Sequence, residues 1–411
     1  PRGRPLRGGS VNDVELDPGR TPDGEGAQRR RPAPALPAAW RWGFPAALVL
    51  VVLWSGWLLA DGLQMILDSE QGTIREAITD PSAPGFEAFV EQTWSVLVAT
   101  EDDAGELVQV AVLAVADRTG GGGTVLLVPP EVAVTGCAVQ PCTLSERHRE
   151  GGVDMVRASV TGLLDVGVTG TALLTPSRWE SLAGASAAAV VELPGDLVST
   201  ASDGTTVVRF PAGKVAIAPA EVAELLGFAD DVGGMERLAR QRDWWSAWLE
   251  LVGTGDPVGN LPALELDIVH LLATVAGGPV SVVTGPWMLE GSSMLVDATA
   301  LDDLVVWMFP FPVPLVPGRR PTVRLLNGTG DPSLDAPARE AVLRTGVELA
   351  VVGNFRNDGA IQTRVIHRDP ALAEEANALA TALGARVLFD QMASPVTDLT
   401  VVIGADFRLG G

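Results

Sequence analysis

The feature that most constrains this chain is an uncharged, apolar run of nineteen residues, WGFPAALVLVVLWSGWLLA, at residues 42–60. As a helix this run would extend about 28 Å, close to the roughly 30 Å hydrocarbon core of a bilayer. It is longer than the apolar core of a signal peptide, and no convincing cleavage site follows it. The sequence therefore predicts a single transmembrane helix, with a buried helix of a soluble domain as the alternative.

Charge predicts the orientation of that helix. Residues 1–41 carry eight arginines against five acidic residues, and they are rich in Pro and Gly, which is typical of a disordered tail. The positive-inside rule places this tail in the cytoplasm and the rest of the chain outside the cell, as a single-pass protein of the cell membrane. The chain as a whole has a net charge of −22, so the outer part is strongly acidic. Nucleic acid is excluded as a partner, and an anionic ligand would need a local basic pocket.

The rest of the chain divides by composition. Residues 61–91 suggest a juxtamembrane helix and a linker, with a short amphipathic helix over FEAFVEQTW at residues 86–94. Residues 92–310 alternate strand and helix patterns, which predicts an α/β or α+β domain. Residues 311–321 are proline-rich, as expected of a stiff spacer between domains.

The two cysteines, Cys137 and Cys142, lie five positions apart. Outside the cell thiols can oxidise, and the intervening Pro141 suits a small closed loop, so a disulfide is the favoured interpretation. A zinc site is the weaker alternative, because only His148 is near in sequence and four ligands are not in evidence. We predict no metal.

The most informative helix is MERLARQRDWWSAWLELV at residues 235–252. One of its stripes carries Arg237, Arg240, Gln241, Trp244 and Trp248. Guanidinium groups bind phosphate bidentately, so these residues are candidates for a phosphate site whose tryptophans line a pocket for a lipid or sugar. The alternative is an arginine-bearing edge beside a tryptophan-rich core, and the residues alone favour it.

The order of several segments resembles a known family. The strand VLVAT, then TVLLVPPEV, GLLDVGVTGTALLTPSRWESLAG, FPAGKVAIAPAEV and RLARQ together resemble the extracytoplasmic LytR-CpsA-Psr (LCP) domain over about residues 92–310. The resemblance implies a transferase that moves a glycopolymer from a polyprenyl-pyrophosphate carrier onto peptidoglycan. It also implies an apolar lipid tunnel, with arginines for the pyrophosphate and aspartates for Mg²⁺ at its mouth.

The chain departs from that family at most positions that carry the chemistry. Where the family has Gly-x-Asp, this chain offers a carboxylate only at Glu101. Where the family has Arg-x-Asp-Thr, the chain has Leu107-Val108-Gln109-Val110. Where it has Pro-Arg-Asp, the chain has Pro129-Pro130-Glu131. The paired arginines expected near ELLGFADD are missing. Only Arg237, Arg240 and Gln241 survive as the Arg-x-x-Arg-Gln signature. A degenerate, non-catalytic relative without a cofactor is therefore expected, since magnesium-assisted transfer needs several oxygen ligands and cations together.

The last segment, residues 322–411, shows a β-α-β-β-α-β order that predicts a ferredoxin-like sandwich. Leu326-Asn327-Gly328-Thr329, Thr363 and the segment DLTVVIG at 398–404 resemble the LytR C-terminal domain. Asn327 and Asp406 are candidates for sugar contacts, although turn and strand-end roles explain them equally well.

These observations predict a membrane-anchored accessory protein of cell-envelope assembly. It would bind a wall polymer, a polyprenyl-linked lipid or envelope proteins without catalysis. The alternative is an active phosphotransferase with Mg²⁺, in which Glu101, Arg237, Arg240 and Gln241 form a rearranged site.

Overall fold

The computed structural model of the protein describes residues 78–408, apart from residues 138, 202, 230–233, 264–266, 291–292 and 358. The predicted cytoplasmic tail, the predicted transmembrane helix and the predicted juxtamembrane helix lie outside these residues. Within the part that is described, no helix combines the length and the apolar character needed to cross a bilayer.

The described elements alternate between strands and helices. The strands are β1 Glu87–Phe89, β2 Ser95–Glu101, β3 Leu107–Val115, β4 Gly123–Val128, β5 Ala133–Val134, β6 Cys142–Thr143, β7 Gly170–Leu174, β8 Ala189–Leu193, β9 Leu197–Thr200, β10 Thr206–Phe210, β11 Gly213–Ile217, β12 Val280–Val283, β13 Trp287–Glu290, β14 Ser293–Val296, β15 Thr322–Asn327, β16 Glu348–Asn354, β17 Arg364–His367, β18 Arg386–Phe389 and β19 Leu399–Ile403. The α-helices are α1 Leu144–Leu164, α2 Pro176–Ala183, α3 Val222–Gly227, α4 Met235–Gly253, α5 Asp267–Ala276, α6 Ala298–Met308, α7 Asp335–Leu343 and α8 Ala373–Leu383.

The first domain is built on a mixed sheet with the strand order β12-β4-β3-β2-β7. Strands β2, β3 and β4 are apolar runs with nearly every residue buried, the pattern of strands covered on both faces. This confirms the predicted mixed α/β character. Because β2 and β4 both run antiparallel to β3, their carboxyl ends lie at the same edge of the sheet. That edge positions the candidate site.

The second domain contains a sheet with the order β1-β16-β15-β19-β17-β18. Strand β15 is parallel to both of its neighbours, β16 and β19, and β17 is parallel to β18. Helices α7 and α8 cover one face, over a core that includes Val323, Leu325, Val365 and Val401. The predicted ferredoxin-like arrangement is wrong, because that fold separates the two strands of each βαβ unit, whereas here they are direct neighbours.

Strand β1 is the clearest departure from the sequence prediction. The segment predicted as an amphipathic helix pairs antiparallel with β16, with Glu87 opposite Gly353. The local pattern of this segment is helical, but its backbone N–H and C=O groups pair with a strand that lies more than 250 residues later. A local pattern does not reveal such a distant partner. Thr93, just after β1, donates its backbone N–H to the carbonyl of Phe311 at 2.7 Å.

The proline-rich segment also differs from its prediction as a spacer. Gly167 and Val313 form an antiparallel bridge, and the Gly167 N–H donates to the Val313 carbonyl at 2.8 Å. Arg320 pairs with Asp165 of the first domain. Packing against the first domain fixes this segment, so it holds the two domains together within one compact unit.

Candidate functional site

The candidate site lies at the edge where β2 and β4 end. Glu101 is the last residue of β2, and Glu131 follows β4 by three positions. Helix α1 begins against the same segment, since the Ser145 N–H donates to the Pro130 carbonyl at 2.9 Å. Sequence-distant polar residues are thereby gathered at one edge of the sheet.

Glu101 is held by a histidine. His148 Nε2 lies 2.8 Å from Glu101 Oε1, and the two side chains are only 7% and 17% exposed respectively. Thr143 and Glu146 form a capping box at the start of α1, which fixes the turn that carries His148. The single carboxylate expected to face a ligand is therefore already paired within the protein.

The segment before α1 is closed by a disulfide between Cys137 and Cys142. Cys142 lies in β6, immediately before the Thr143 cap. Arg147 braces the same loop by donating from Nη1 to the Gly136 carbonyl at 3.0 Å. The disulfide is therefore part of the support for the turn that presents His148.

Arg237 is paired with an acid rather than open to a ligand. Its Nη2 donates to Glu131 Oε2 at 2.5 Å, and its side chain is 11% exposed. Its Nε is buried and has no hydrogen-bond partner among the described residues. One donor of Arg237 thus stays unsatisfied beside an otherwise complete ion pair.

Arg240 and Gln241 point at the end of helix α3. Arg240 donates to the carbonyls of Leu225, at 3.2 Å from Nε, and of Phe228, at 2.5 Å from Nη2. Gln241 Nε2 donates to the Leu226 carbonyl at 2.6 Å. The last carbonyls of a helix are short of partners within the helix, and these two side chains add hydrogen bonds to them, although the Leu225 carbonyl also accepts from the Phe228 N–H at 3.4 Å. Both side chains therefore have a structural role at the end of α3, and their role as phosphate ligands stays a prediction.

Trp244 and Trp248 do not line a pocket, contrary to that prediction. Each is 1% exposed, and their rings stack at 5.2 Å between centroids. Trp179 meets both edge-on and donates from Nε1 to Thr100 Oγ1 at 3.1 Å. The helix thus carries the tryptophan-rich core that the residues alone favoured.

The donors at this edge do not fit magnesium. Among the described residues, no group of three or more His, Cys, Asp and Glu side chains is placed to hold a metal ion. Mg²⁺ requires near-octahedral oxygen coordination, usually from carboxylates, water and phosphate. Glu101 and Glu131 each face a basic side chain instead, so we derive no metal-assisted step.

The structure therefore separates the predicted site residues into three groups: Glu101 with His148, Arg237 with Glu131, and Arg240 with Gln241 at the end of α3. The sequence did not predict that His148 and Glu131 would be the partners. Its only signals were the rarity of histidine, with three in the chain, and the position of Glu131 after two prolines.

The candidates in the second domain also have structural partners. Asn327 Nδ2 donates to the Asp331 carbonyl at 2.8 Å and to Asp335 Oδ1 at 2.7 Å. Asp406 Oδ1 accepts from the backbone and the hydroxyl of Thr363 at 2.6 and 2.8 Å. These residues shape turns, as one of the two sequence interpretations held.

Comparison with known proteins identifies the second domain. Residues 320–407 match the family model described as LytR cell envelope-related transcriptional attenuator, which confirms the predicted LytR C-terminal domain. Among proteins with curated descriptions, none matches the chain.

Solved structures similar to the chain share low sequence identity with it. B. subtilis TagV has a TM-score of 0.42 at 14% identity, over 53% of this chain and 96% of TagV. TagT bound to LIIa-WTA has a TM-score of 0.39 at 16% identity, over 57% of this chain and 92% of TagT. The LytR-Csp2A-Psr enzyme from Actinomyces oris has a TM-score of 0.41 at 13% identity, over 56% of this chain and 91% of that enzyme.

Proposed function

We propose that this chain, whose residues 320–407 belong to the LytR C-terminal family and whose first domain resembles the LCP family, is a non-catalytic accessory protein of cell-envelope assembly. It binds wall polymer, and it is held in the cell membrane by residues 42–60 with its bulk outside the cell. The proposal combines the family match with the charge pattern around the apolar run.

The observation that carries the non-catalytic assignment is the hydrogen bonding of Arg240 and Gln241. They belong to the surviving family signature, yet both donate to carbonyls at the end of α3. Turning Gln241 toward a pyrophosphate would take its partner from the buried Leu226 carbonyl, at a cost of about 1–3 kcal/mol. Turning Arg240 would remove its bonds to Phe228 and to Leu225, whose carbonyl keeps the Phe228 N–H. Binding at this position would have to exceed that cost.

The carboxylates support the same conclusion. A transfer from a pyrophosphate gathers negative charge on the leaving phosphate, and the LCP family resemblance implies a metal ion and several arginines to offset it. Here Glu101 faces His148 and Glu131 faces Arg237. The carboxylates that would hold the ion are therefore already paired with basic side chains, whereas the buried apolar core of the domain is present.

An active phosphotransferase is the second candidate, and one observation favours it. The Nε of Arg237 is buried without a partner among the described residues, beside a glutamate at the position of the family's Pro-Arg-Asp motif. Release of Glu131 would expose a guanidinium fork suited to a phosphate.

One assay separates the two candidates. The full-length chain in detergent would receive Mg²⁺, a polyprenyl-pyrophosphate-linked glycan and peptidoglycan, and release of polyprenyl phosphate would be measured. We expect no release, together with co-sedimentation of the chain with purified cell walls. Release that Arg237→Ala abolishes and Arg242→Ala retains would overturn the non-catalytic proposal, because Arg242 is exposed on the same helix.

Topology is tested separately. Protease added to intact cells is expected to degrade the part of the chain beyond residue 61. Protection in intact cells, with degradation only after permeabilisation, would reverse the orientation and remove the basis for an envelope role.

A further inference from the structure

The second domain contains a cavity of about 450 Å³ on the face of its sheet that helices α7 and α8 leave uncovered. Residues on alternate positions of the central strands form its floor. Leu326 of β15 lies beside Val402 of β19, and Ile366 of β17 lies beside Thr400 of β19. Their sequence neighbours point the other way, into the core. The floor is thus largely apolar, with one hydroxyl.

Arginines form much of the wall. Arg324 and Arg356 line the cavity directly. The Arg364 guanidinium lies 5.5 Å above the ring of Phe355, which also lines it. The backbone of Arg364 is paired with Val402, a residue of the floor. Two guanidinium groups therefore line the concave surface, and a third lies beside it over the ring of Phe355.

Two of these arginines have unused donors. The Nε atoms of Arg324 and Arg364 are buried without a hydrogen-bond partner among the described residues. Arg324 pairs through Nη2 with Glu87, so only part of its fork is occupied. These Nε atoms are covered by protein, so an oxyanion in the cavity would instead contact the part of the Arg324 guanidinium that Glu87 leaves unpaired and the exposed guanidinium of Arg356.

The acidic groups at the cavity do not cancel its positive charge. Glu87 is engaged by Arg324, and Asp390 accepts from the Met392 N–H at 2.9 Å. Arg324 and Arg356 line the cavity together with these two carboxylates, and Arg364 beside Phe355 adds a third positive charge next to it, in a chain whose net charge is −22. An anion is repelled by most of this protein and attracted here.

We propose that this cavity binds a sugar phosphate, such as a repeating unit of a phosphate-containing wall polymer. The phosphate lies between Arg324 and Arg356, with the positive charge of Arg364 beside Phe355, and the sugar ring lies over Leu326 and Val402. Two guanidinium forks, with a third positive charge nearby, fit the several oxygens of a phosphate better than the two of a carboxylate. The inference deepens the proposed function and rests on it, because it assigns the polymer-binding site to the second domain.

The test uses the full-length chain in detergent and four probes: glucose 1-phosphate, glucose, inorganic phosphate and glucuronate. Binding is followed by calorimetry and by chemical shifts of the arginine side chains. We expect glucose 1-phosphate to bind about tenfold more tightly than the other three. Equal binding of inorganic phosphate would overturn the role of the apolar floor, and equal binding of glucuronate would overturn the preference for phosphate.

Variants that each remove one arginine charge, either at the cavity or outside it, test whether the cavity is the binding site. We expect Arg324→Gln and Arg356→Gln each to weaken glucose 1-phosphate binding about tenfold or more, since each removes a charged donor. Arg368→Gln, which removes an exposed arginine outside the cavity from the same domain, should change nothing. Arg324→Gln also removes the pair with Glu87, so the exposed Arg356 gives the cleaner variant. Binding that both variants retain, or its absence in the unaltered chain, would overturn the assignment.

Co-sedimentation with purified cell walls distinguishes failure of the site from failure of the proposed function. A chain that sediments with walls yet binds no sugar phosphate would refute the cavity and leave the accessory role standing. A chain that binds glucose 1-phosphate, with the expected loss in Arg356→Gln, but does not sediment would keep the cavity and refute the accessory role.

Discussion

His148 Nε2 lies 2.8 Å from Oε1 of Glu101, which joins the first turns of helix α1 to the last residue of strand β2. The two residues are 47 positions apart in the chain, and the histidine is buried. At the position where the resemblance to the LCP family implies an aspartate for a metal, this protein has a carboxylate that a side chain from another element already contacts. The contact is expected to stabilise the first domain.

Glu101→Ala should lower the free energy of unfolding by about 1–3 kcal/mol, because it leaves the buried imidazole without its partner. Urea unfolding followed by tryptophan fluorescence would measure it. Seven of the eleven tryptophans lie between Trp94 and Trp307 and none lies in the second domain, so the change in signal on unfolding reports mainly on the first domain. The matched control is Glu106→Ala, which breaks the exposed pair with Arg149 and should cost no more than about 1 kcal/mol. Equal losses in the two variants would contradict the structural role of Glu101.

Arg240→Lys should also destabilise the first domain, by about 1–3 kcal/mol, although it preserves the charge. A lysine ammonium cannot reproduce the fork that reaches the carbonyls of both Leu225 and Phe228. Arg242→Lys on the same helix is the control, since Arg242 is exposed and pairs only with its neighbour Asp243 among the described residues. The same unfolding measurement applies, and an unchanged midpoint for Arg240→Lys would refute the capping role.

Replacing both cysteines by serine should lower the free energy of unfolding by about 2 kcal/mol, the loop-closure contribution of a cross-link that spans so few residues. Dithiothreitol should produce a similar loss in the unaltered protein and none in Cys137→Ser/Cys142→Ser. If the reductant had no effect on the unaltered chain, the disulfide would not contribute to the stability of the folded domain.

Asp331 should contribute to the stability of the second domain, and this contribution should be lost in acid. Hydrogen bonds from the hydroxyl and the backbone N–H of Ser333 hold the pKa of Asp331 below its ordinary value. A carboxyl with a lowered folded-state pKa stabilises the protein above its unfolded-state pKa, of about 4, and loses that contribution as the pH falls through the folded-state value.

Asp331→Ala should therefore be less stable than the unaltered chain at pH 7, and the difference should shrink below about pH 4. Thermal unfolding followed by circular dichroism at a series of pH values would check the trend. A difference that grows with acidification would have the wrong sign for this carboxyl.

The sequence predicted the core of the first domain well, because β2, β3 and β4 are continuous apolar runs whose burial needs no knowledge of their partners. For the second domain it predicted the β-α-β-β-α-β order that runs from β15 to β18, but this order leaves out the additional strands β19 and β1, and the pairing of the strands was not predicted. Which strand lies beside β15 depends on contacts with β19, more than seventy residues later. The prediction of a helix at strand β1 was wrong for the same reason, since its partner β16 is distant in the chain.

At the candidate site, the sequence identified the stripe of residues on α4 but not the groups that these residues contact. Trp244 and Trp248 belong to the core, as their residue types alone favoured. Arg240 and Gln241 were chemically suited to phosphate, and only the placement of α3 beside α4 shows that helix carbonyls are their acceptors. The partners of Glu101 and Arg237 lie 47 and 106 positions away, beyond any local pattern.

Strand β1 has a consequence for how the protein can be dissected. The chain contributes β1 to the small domain, forms the large domain, and returns through Phe311 beside Thr93 to complete the small one. The large domain is thus an insertion within the small one. A fragment that starts at residue 320 would leave the outer edge of β16 unpaired and prone to self-association. Aggregation or non-specific binding of such a fragment would then reflect the missing strand β1 rather than an affinity of the native protein.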